Sequence, residues 1–465
     1  MIAYRILRAL GRLALRWFYR DIETVGLDQL PEYGPALLAS NHPYALVDAL
    51  VIGCTLRRPV TLTAKATLLD QPITWALLKS AGVVPLRRAS DARHAGDSAL
   101  NPARNSEAFS AILDCLEQGG VVLLFPEGKS HSDPGLAPLK TGLARIAMMA
   151  RHDRRLESLP IFPIGLTFER KWEPRSRVLM HIGSPVVVDD AVPNEAAAVA
   201  ALTRRVDLGL REVTLNFSST DEARRVISIS TILTEVLDTF RPLHAPDPPL
   251  SDRVRVAQRI NAIVPRLAEL DRALDVRVEG FLARLTSFET ALLENGVVAS
   301  DVQMSTALLD GAWFVVRELA IVAVAGPLAM WGRVNHWLPL RIARMLALKT
   351  SRAPDEPAMN TIVAGLVLVL AFYAAQVSLV GWLLNWIAAI VYAVSLPLSA
   401  TWDFRYADRF RRGVIRARTY LRFRRDPHVH QQLLDDLSWL RAEAHELDSL
   451  LHDPAIQRDG LAPVL

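Results

Sequence analysis

The chain has 465 residues, 51% of them hydrophobic, with 53 basic against 49 acidic residues and a formal net charge of +4. That length leaves room for two or three domains, the apolar fraction exceeds what one soluble core requires, and the near balance of charge excludes a dedicated nucleic-acid binder. Two cysteines, Cys54 and Cys115, lie in apolar stretches without ligand spacing, which excludes a disulfide framework and leaves them as expected free thiols of a reducing compartment.

Residues 1–21 place Arg5, Arg8, Arg12, Arg16 and Arg20 at helical spacing, with Ile2, Ile6, Leu10, Leu13 and Trp17 on the opposite face. A basic amphipathic helix is expected, either lying on an anionic bilayer surface or packed on its own domain. Residues 22–215 alternate short apolar runs with helical stretches: 36–40, 60–63, 82–86, 121–125, 161–168 and 178–182 are predicted strands. The expected fold class is α/β, with a central sheet flanked by helices. Residues 216–310 are polar, rich in Glu, Arg and Leu and helical in period, interrupted by the turn-prone run from His244 to Pro249.

Residues 311–407 are expected to associate with a membrane. Between Thr361 and Trp402 no Asp, Glu, Lys or Arg occurs across 42 residues, enough for two crossings of a hydrocarbon core of about 30 Å. A hairpin over 361–402 is predicted, its turn within 381–385. Lys349 and Arg352 precede it, and Arg405, Arg409, Arg411 and Arg412 follow. Both ends are therefore expected to be cytoplasmic; a re-entrant hairpin and a buried helix pair are the alternatives. The shorter run Leu319 to Trp331, flanked by charges and containing Pro327, is too short to span and is expected to be interfacial or re-entrant. Residues 408–465 form a charged helical tail.

Three constellations carry chemistry. Asn41-His42-Pro43-Tyr44-Ala45-Leu46-Val47-Asp48 follows the first of these strands. A carboxylate beside a histidine fixes its tautomer and stabilises the imidazolium, which makes a base for deprotonating a hydroxyl. In one continuous helix these two positions stand about 120° apart. They meet only if His42 lies in a strand-to-helix turn and the helix begins near Pro43; otherwise both residues merely cap a helix. Gly82-Val83-Val84-Pro85-Leu86-Arg87-Arg88 puts two guanidinium groups at a strand end, either solvated or paired with a phosphate. Val121 to Ser130, containing Phe125-Pro126-Glu127-Gly128-Lys129-Ser130, is a buried strand that breaks into a turn. Glu127 then stands at the strand tip, where open α/β sheets bind ligands.

In this order the three motifs resemble the phospholipid and glycerol acyltransferase superfamily. Its signatures are Asn-His followed at short range by Asp, then Gly-x-x-Phe-Ile-x-Arg, then Phe-Pro-Glu-Gly-x-Ser or Thr. His42 and Asp48 match the first, Gly82 and Arg88 the second, and Phe125, Pro126, Glu127, Gly128 and Ser130 the third. A fourth block, an apolar strand with a proline, is similar to residues 159–166, with Pro163 the better match; Lys140-Thr141-Gly142 and Gly183-Ser184-Pro185 sit where family members carry Lys-x-Gly and Gly-x-Pro. Two departures stand out: five residues rather than four separate His42 from Asp48, and Pro85 replaces an aromatic. Both are similar to a subgroup related to fungal glycerol-3-phosphate and dihydroxyacetone-phosphate acyltransferases.

The resemblance implies a mainly parallel or mixed sheet and acyl transfer from acyl-CoA or acyl-carrier protein to a hydroxyl of a glycerol-phosphate acceptor, glycerol 3-phosphate or dihydroxyacetone phosphate before a lysophospholipid. It implies His42 as base oriented by Asp48, Arg88 on the acceptor phosphate, Glu127 on a hydroxyl, and backbone N–H groups near Gly128 facing the oxyanion. Lys65, Arg87 and Lys140 are further phosphate candidates, and Asn41, Gly82, Ser130 and Pro163 complete the expected site. No metal or cofactor is required, and the catalytic domain is expected on the cytoplasmic membrane face. A lipid-binding protein without turnover is the rival of another class. A serine or metallohydrolase is disfavoured, because neither Gly-x-Ser-x-Gly nor His-Glu-x-x-His occurs.

Overall fold

The short apolar runs become strands of a mixed sheet in the computed structural model, which describes residues 2–65, 82–86, 106–188, 195–237, 248–270, 272–350 and 357–451. Arg87 and Arg88 lie outside the described residues, as does the side chain of Lys65. The chain divides into two units, the first comprising residues 1–218 and 339–374, the second 219–338 and 375–465.

The first unit runs α1 (Ile2–Phe18), β1 (Asp21–Val25), β2 (Ala36–Ser40), α2 (Leu46–Thr55), β3 (Val60–Lys65), β4 (Val84–Leu86), α3 (Ser106–Glu117), β5 (Val121–Leu124), α4 (Gly142–Arg154), β6 (Pro160–Phe168), β7 (Arg177–Ile182), β8 (Val186–Val187) and α5 (Glu195–Val213). The strand order is β1-β7-β6-β2-β5-β3-β4, with β8 beside β6. Strands β6, β2, β5, β3 and β4 are mutually parallel, and β7 and β8 run antiparallel to β6. All six predicted strands are present; β1 and β8 are additional. β1 has a polar sequence, Asp-Ile-Glu-Thr-Val, and is a strand because it pairs in register with β7.

Alternate residues feed two cores. Ala36, Leu38, Val121 and Leu123 face a layer containing α1 and α2, whereas Leu37, Ala39, Val122 and Leu124 face α3, α4 and α5. Burial on both faces explains why β2 and β5 are continuous apolar runs. The arginines of α1 serve the fold as well as the surface. Arg12 donates to the Cys54 carbonyl at 2.7 Å, and Arg8 donates to the carbonyls of Leu56 and Arg57, so cations cap the negative C-terminal end of α2. At the other end of α1, Ile2 and Ile6 remain exposed.

The second unit is helical: α6 (Thr220–Leu237), α7 (Leu250–Leu270), α8 (Arg272–Asn295), α9 (Leu308–Thr350), α10 (Pro357–Leu383), α11 (Trp386–Arg425) and α12 (Pro427–Leu451), with parts of α9 and α10 belonging to the first unit. Phe281, Leu285, Phe288 and Leu292 of α8 pack with Leu433, Leu437 and Leu440 of α12. Arg284 pairs with Asp436 at 2.7 Å along the same contact. The turn between α10 and α11 falls at Leu384-Asn385, within the predicted span, and Asn385 caps α11 by accepting from Ala388 N–H at 2.8 Å. Met359–Leu383 and Trp386–Arg425 are each long and apolar enough to cross a membrane.

Leu319 to Trp331 lies within α9, a helix of 43 residues that continues through Pro327. The charges that flank the run, Arg317, Glu318 and Arg333, are paired. Arg333 turns toward α11 and holds Asp403 at 2.9 Å, while Trp313, Val324, Met330 and Val334 stay exposed. Gly332 lets the backbones meet, since a Cβ there would lie 2.2 Å from the Ser399 carbonyl oxygen. The contact between α9 and α11 therefore buries polar groups, including Asn335, Ser399 and Asp403, and exposes apolar ones. This inversion suits lipid as the surrounding solvent.

Candidate active site

The carboxyl ends of three adjacent parallel strands, β6, β2 and β5, converge on one edge of the sheet, where ligands bind in open α/β folds. Asn41 and His42 follow β2 directly. The Asn41 side chain extends the β2–β6 ladder by one step: its Oδ1 accepts from Leu166 N–H at 2.8 Å and its Nδ2 donates to the Leu166 carbonyl at 3.1 Å. The helix begins at Leu46 and not near Pro43 as the sequence suggested. Between them the chain turns through Ala45 at φ 49°, a conformation L-residues rarely adopt and one that concentrates at functional sites. That turn closes the gap left by helical geometry: His42 Nδ1 and Asp48 Oδ2 are 2.9 Å apart.

Asp48 is fully buried, and its Oδ2 also accepts from Tyr44 N–H at 2.8 Å. Burial pushes the carboxyl up from its ordinary value; the hydrogen bonds from His42 and Tyr44, the His42 charge and the charge of Lys171 oppose that rise. With the carboxylate accepting at Nδ1, Nε2 is left as the acceptor nitrogen. The imidazole lies flat on Phe125, with ring centroids 3.9 Å apart at 16°, so the third motif supplies the floor for the first.

Glu127 follows β5 and is almost wholly buried. Its Oε1 accepts from His42 N–H at 2.7 Å, its Oε2 accepts from Ala137 N–H at 2.8 Å, and the same oxygen contacts His131 Nε2. His131 Nδ1 stands 3.3 Å from Asp133 N and 3.2 Å from Asp133 Oδ2, so that Nε2 is the nitrogen facing Glu127. His131 N–H in turn donates to the His42 carbonyl at 3.2 Å. The loops after β2 and β5 are thus tied through both backbone groups of His42. Gly128, at φ 73°, donates its own N–H to the Phe125 carbonyl at 3.0 Å, so that group closes the turn rather than facing an oxyanion.

Asn41, His42 and Glu127 line one cavity of about 130 Å³, together with His131, Leu166, Lys171 and Thr214. Among the described residues, Gly128, Ser130, Lys140 and Pro163 are not part of its lining. Lys140 N–H donates to the Pro126 carbonyl at 2.7 Å, and its exposed side chain runs past Gly128. Pro163 sits in β6 opposite Ala39, beneath Gly183 and Gly209. Gly82 stands at φ 70° just before β4, and Lys65 pairs with Leu86 through the backbone. His131 and Lys171 are the two functional candidates absent from the sequence expectations. His131 could have been found from its position four residues after Glu127; Lys171, in the β6–β7 turn, has no local signal.

Residues 21–167 match the Acyltransferase family model. Glycerol-3-phosphate O-acyltransferase 2 of Saccharomyces cerevisiae is 38% identical over 85 residues, which are 18% of this chain and 11% of the yeast protein. The 1-acyl-sn-glycerol-3-phosphate acyltransferase BAT2, chloroplastic, of Brassica napus is 26% identical over 151 residues, 32% of this chain and 38% of that protein. The crystal structure of the 1-acyl-sn-glycerophosphate acyltransferase PlsC from Thermotoga maritima aligns over 45% of this chain and 79% of its own, at 18% identity with a TM-score of 0.33. The chain thus spans well under half the length of these two curated relatives. Residues 21–167, where the histidine-aspartate pair and the buried glutamate are found, are thus similar to the Acyltransferase family.

Proposed function

We propose that this chain is a membrane-bound O-acyltransferase that moves a fatty acyl group from acyl-CoA or acyl-carrier protein to a hydroxyl of a glycerol phosphate, glycerol 3-phosphate or dihydroxyacetone phosphate at the 1-position. The observation that carries the proposal is the His42–Asp48 pair, with the carboxylate fully buried and His42 lining a cavity. His42 Nε2 takes the acceptor proton as the hydroxyl oxygen attacks the thioester carbonyl. The tetrahedral intermediate collapses with cleavage of the C–S bond, and the departing thiolate takes the proton from His42. No bond to the enzyme forms.

Glu127 has both carboxylate oxygens engaged by the loops around His42, which gives it the role of holding the base in place; a bond to an acceptor hydroxyl would add to these contacts. Lys171 brings positive charge to the cavity wall where negative charge develops on the thioester oxygen. Arg88, with Arg87, Lys65 and Lys140 as further cations, is assigned to the acceptor phosphate on its motif position. Helices α10 and α11 and the apolar outer face of α9 are assigned to the bilayer, and the arginines following residue 402 favour a catalytic unit on the cytoplasmic face.

Purified full-length protein with labelled acyl-CoA or acyl-carrier protein, offered glycerol 3-phosphate, dihydroxyacetone phosphate and 1-acylglycerol 3-phosphate in parallel, tests the proposal. Product from the first two at higher kcat/KM than from the third supports it. Preference for the lysolipid, the substrate named for the Brassica napus relative, moves the assignment to the second acylation step, and no transfer to any acceptor defeats it.

A further inference from the structure

A second cavity, of about 60 Å³, lies in the helical unit between α9 and α11, lined by Phe314, Arg317, Glu318, Arg409, Arg412 and Arg416. Four guanidinium groups converge here on very little negative charge. Arg317 and Arg409 share a single oxygen of Glu318, at 2.6 and 3.1 Å, and Arg317 also lies over the Phe314 ring. Arg416 holds Asp301 at 3.1 Å. The Arg412 side chain has no ion pair or hydrogen bond within the described residues. Four cations against two carboxylates leave two positive charges around a cavity large enough for a small group. Like charges held this close repel strongly in a partly dry setting, and an anion that fills the space removes that cost.

We infer that this cavity binds a phosphate monoester. A monoester carries about −1.5 to −2 charge at neutral pH and so matches the local excess, whereas a diester matches half of it. Its oxygens suit the planar forks of several arginines together. The position along α11 fits a lipid headgroup as the source: Arg409 lies about 10 Å beyond Trp402 at 1.5 Å per residue, just outside the uncharged stretch, at the depth where bilayer phosphates sit. That depth rests on the membrane placement proposed above. The charge match does not, and a soluble phosphate ester presents the same chemistry.

The test uses full-length protein in a neutral detergent. Retention of radiolabelled dioleoyl phosphatidate and of radiolabelled inorganic phosphate is measured on wild type, on an Arg409→Gln/Arg412→Gln double variant and on Glu318→Gln. Both altered arginines are exposed, so the double variant is expected to fold, and acyl transfer to glycerol 3-phosphate is expected within twofold of wild type. Phosphate-monoester affinity falls at least tenfold in the double variant and rises in Glu318→Gln, where the competing carboxylate is gone; a cluster that only holds the helices together gives no such opposite signs. Retention of phosphatidate well above inorganic phosphate identifies a lipid source, and equal retention a soluble one. Binding by the double variant equal to wild type, or binding of neither probe by wild type, overturns the inference whatever the fate of the acyltransferase assignment.

Discussion

Replacing Asp48 by asparagine separates two roles that the carboxylate performs for His42, orientation and charge. Oδ2 accepts from both His42 Nδ1 at 2.9 Å and Tyr44 N–H at 2.8 Å, while the buried Oδ1 has no hydrogen-bond partner among the described residues. An asparagine amide has one acceptor oxygen, and Tyr44 N–H, a fixed backbone donor, requires that oxygen at the Oδ2 position; the NH₂ group there would meet it donor to donor. His42 therefore keeps its proton on Nδ1 and presents the same Nε2 lone pair. What disappears is the negative charge that stabilises the imidazolium. A hydrogen bond to a charged group contributes about 1.5–3 kcal/mol, which at about 1.36 kcal/mol per decade lowers kcat roughly ten- to 150-fold. A flipped tautomer costs on the order of 10⁴-fold instead. Steady-state kcat with glycerol 3-phosphate and labelled acyl-CoA reads the difference, and Asp48→Ala, which loses orientation as well, is expected to fall further. A 10⁴-fold loss in Asp48→Asn, or equal losses in the two variants, refutes the reasoning about Tyr44. Stability carries the opposite sign. Burial raises the Asp48 carboxyl, so its protonated form is favoured in the fold and wild-type stability is lost as pH rises through the folded value. Calorimetry is expected to show Tm of Asp48→Asn gaining on wild type as pH increases.

Glu127→Ala leaves the N–H groups of His42 and Ala137 without their acceptor, at about 1–3 kcal/mol each. Its Tm is expected to fall by several degrees or more, and that of Glu127→Gln by less; an unchanged Tm in the alanine variant contradicts the clamp. Arg88→Lys is expected to raise the acceptor KM far more than the donor KM, because a point charge does not replace a bidentate guanidinium on phosphate, whereas equal effects on both substrates point to a structural role. Deleting residues 361–402 is expected to weaken attachment to carbonate-washed membranes, with the apolar face of α9 as the remaining contact. Cysteines engineered at Arg352 and Arg405 in a cysteine-free background are expected to react from the same side of sealed vesicles; opposite-side labelling requires an odd number of crossings.

The strands were legible because β2 and β5 are buried on both faces and bounded by Gly, Pro and Asn, so composition alone marks them. β1 was not, because Asp21, Glu23 and Thr24 break the apolar pattern and only pairing with β7 makes the segment a strand. The histidine-aspartate pair could be listed from sequence, but its geometry turned on Ala45 at positive φ, for which an alanine gives no warning. Glu127 was found at the strand tip, whereas its grip on two backbone N–H groups depends on where the Ala137 loop folds back, a non-local fact. In α9 the charges of Arg317, Glu318 and Arg333 broke the apolar pattern, since one-dimensional hydropathy does not tell paired charges from solvated ones.

Turnover by His42→Ala tests the central claim most directly. Acyl transfer from labelled acyl-CoA to glycerol 3-phosphate is measured on wild type and on the variant at matched folding, judged by circular dichroism and Tm. With His42 as the base, kcat falls about 10²–10⁴-fold while acceptor KM changes little. A well-folded variant that turns over near the wild-type rate contradicts the assignment and moves the proton-accepting group away from His42.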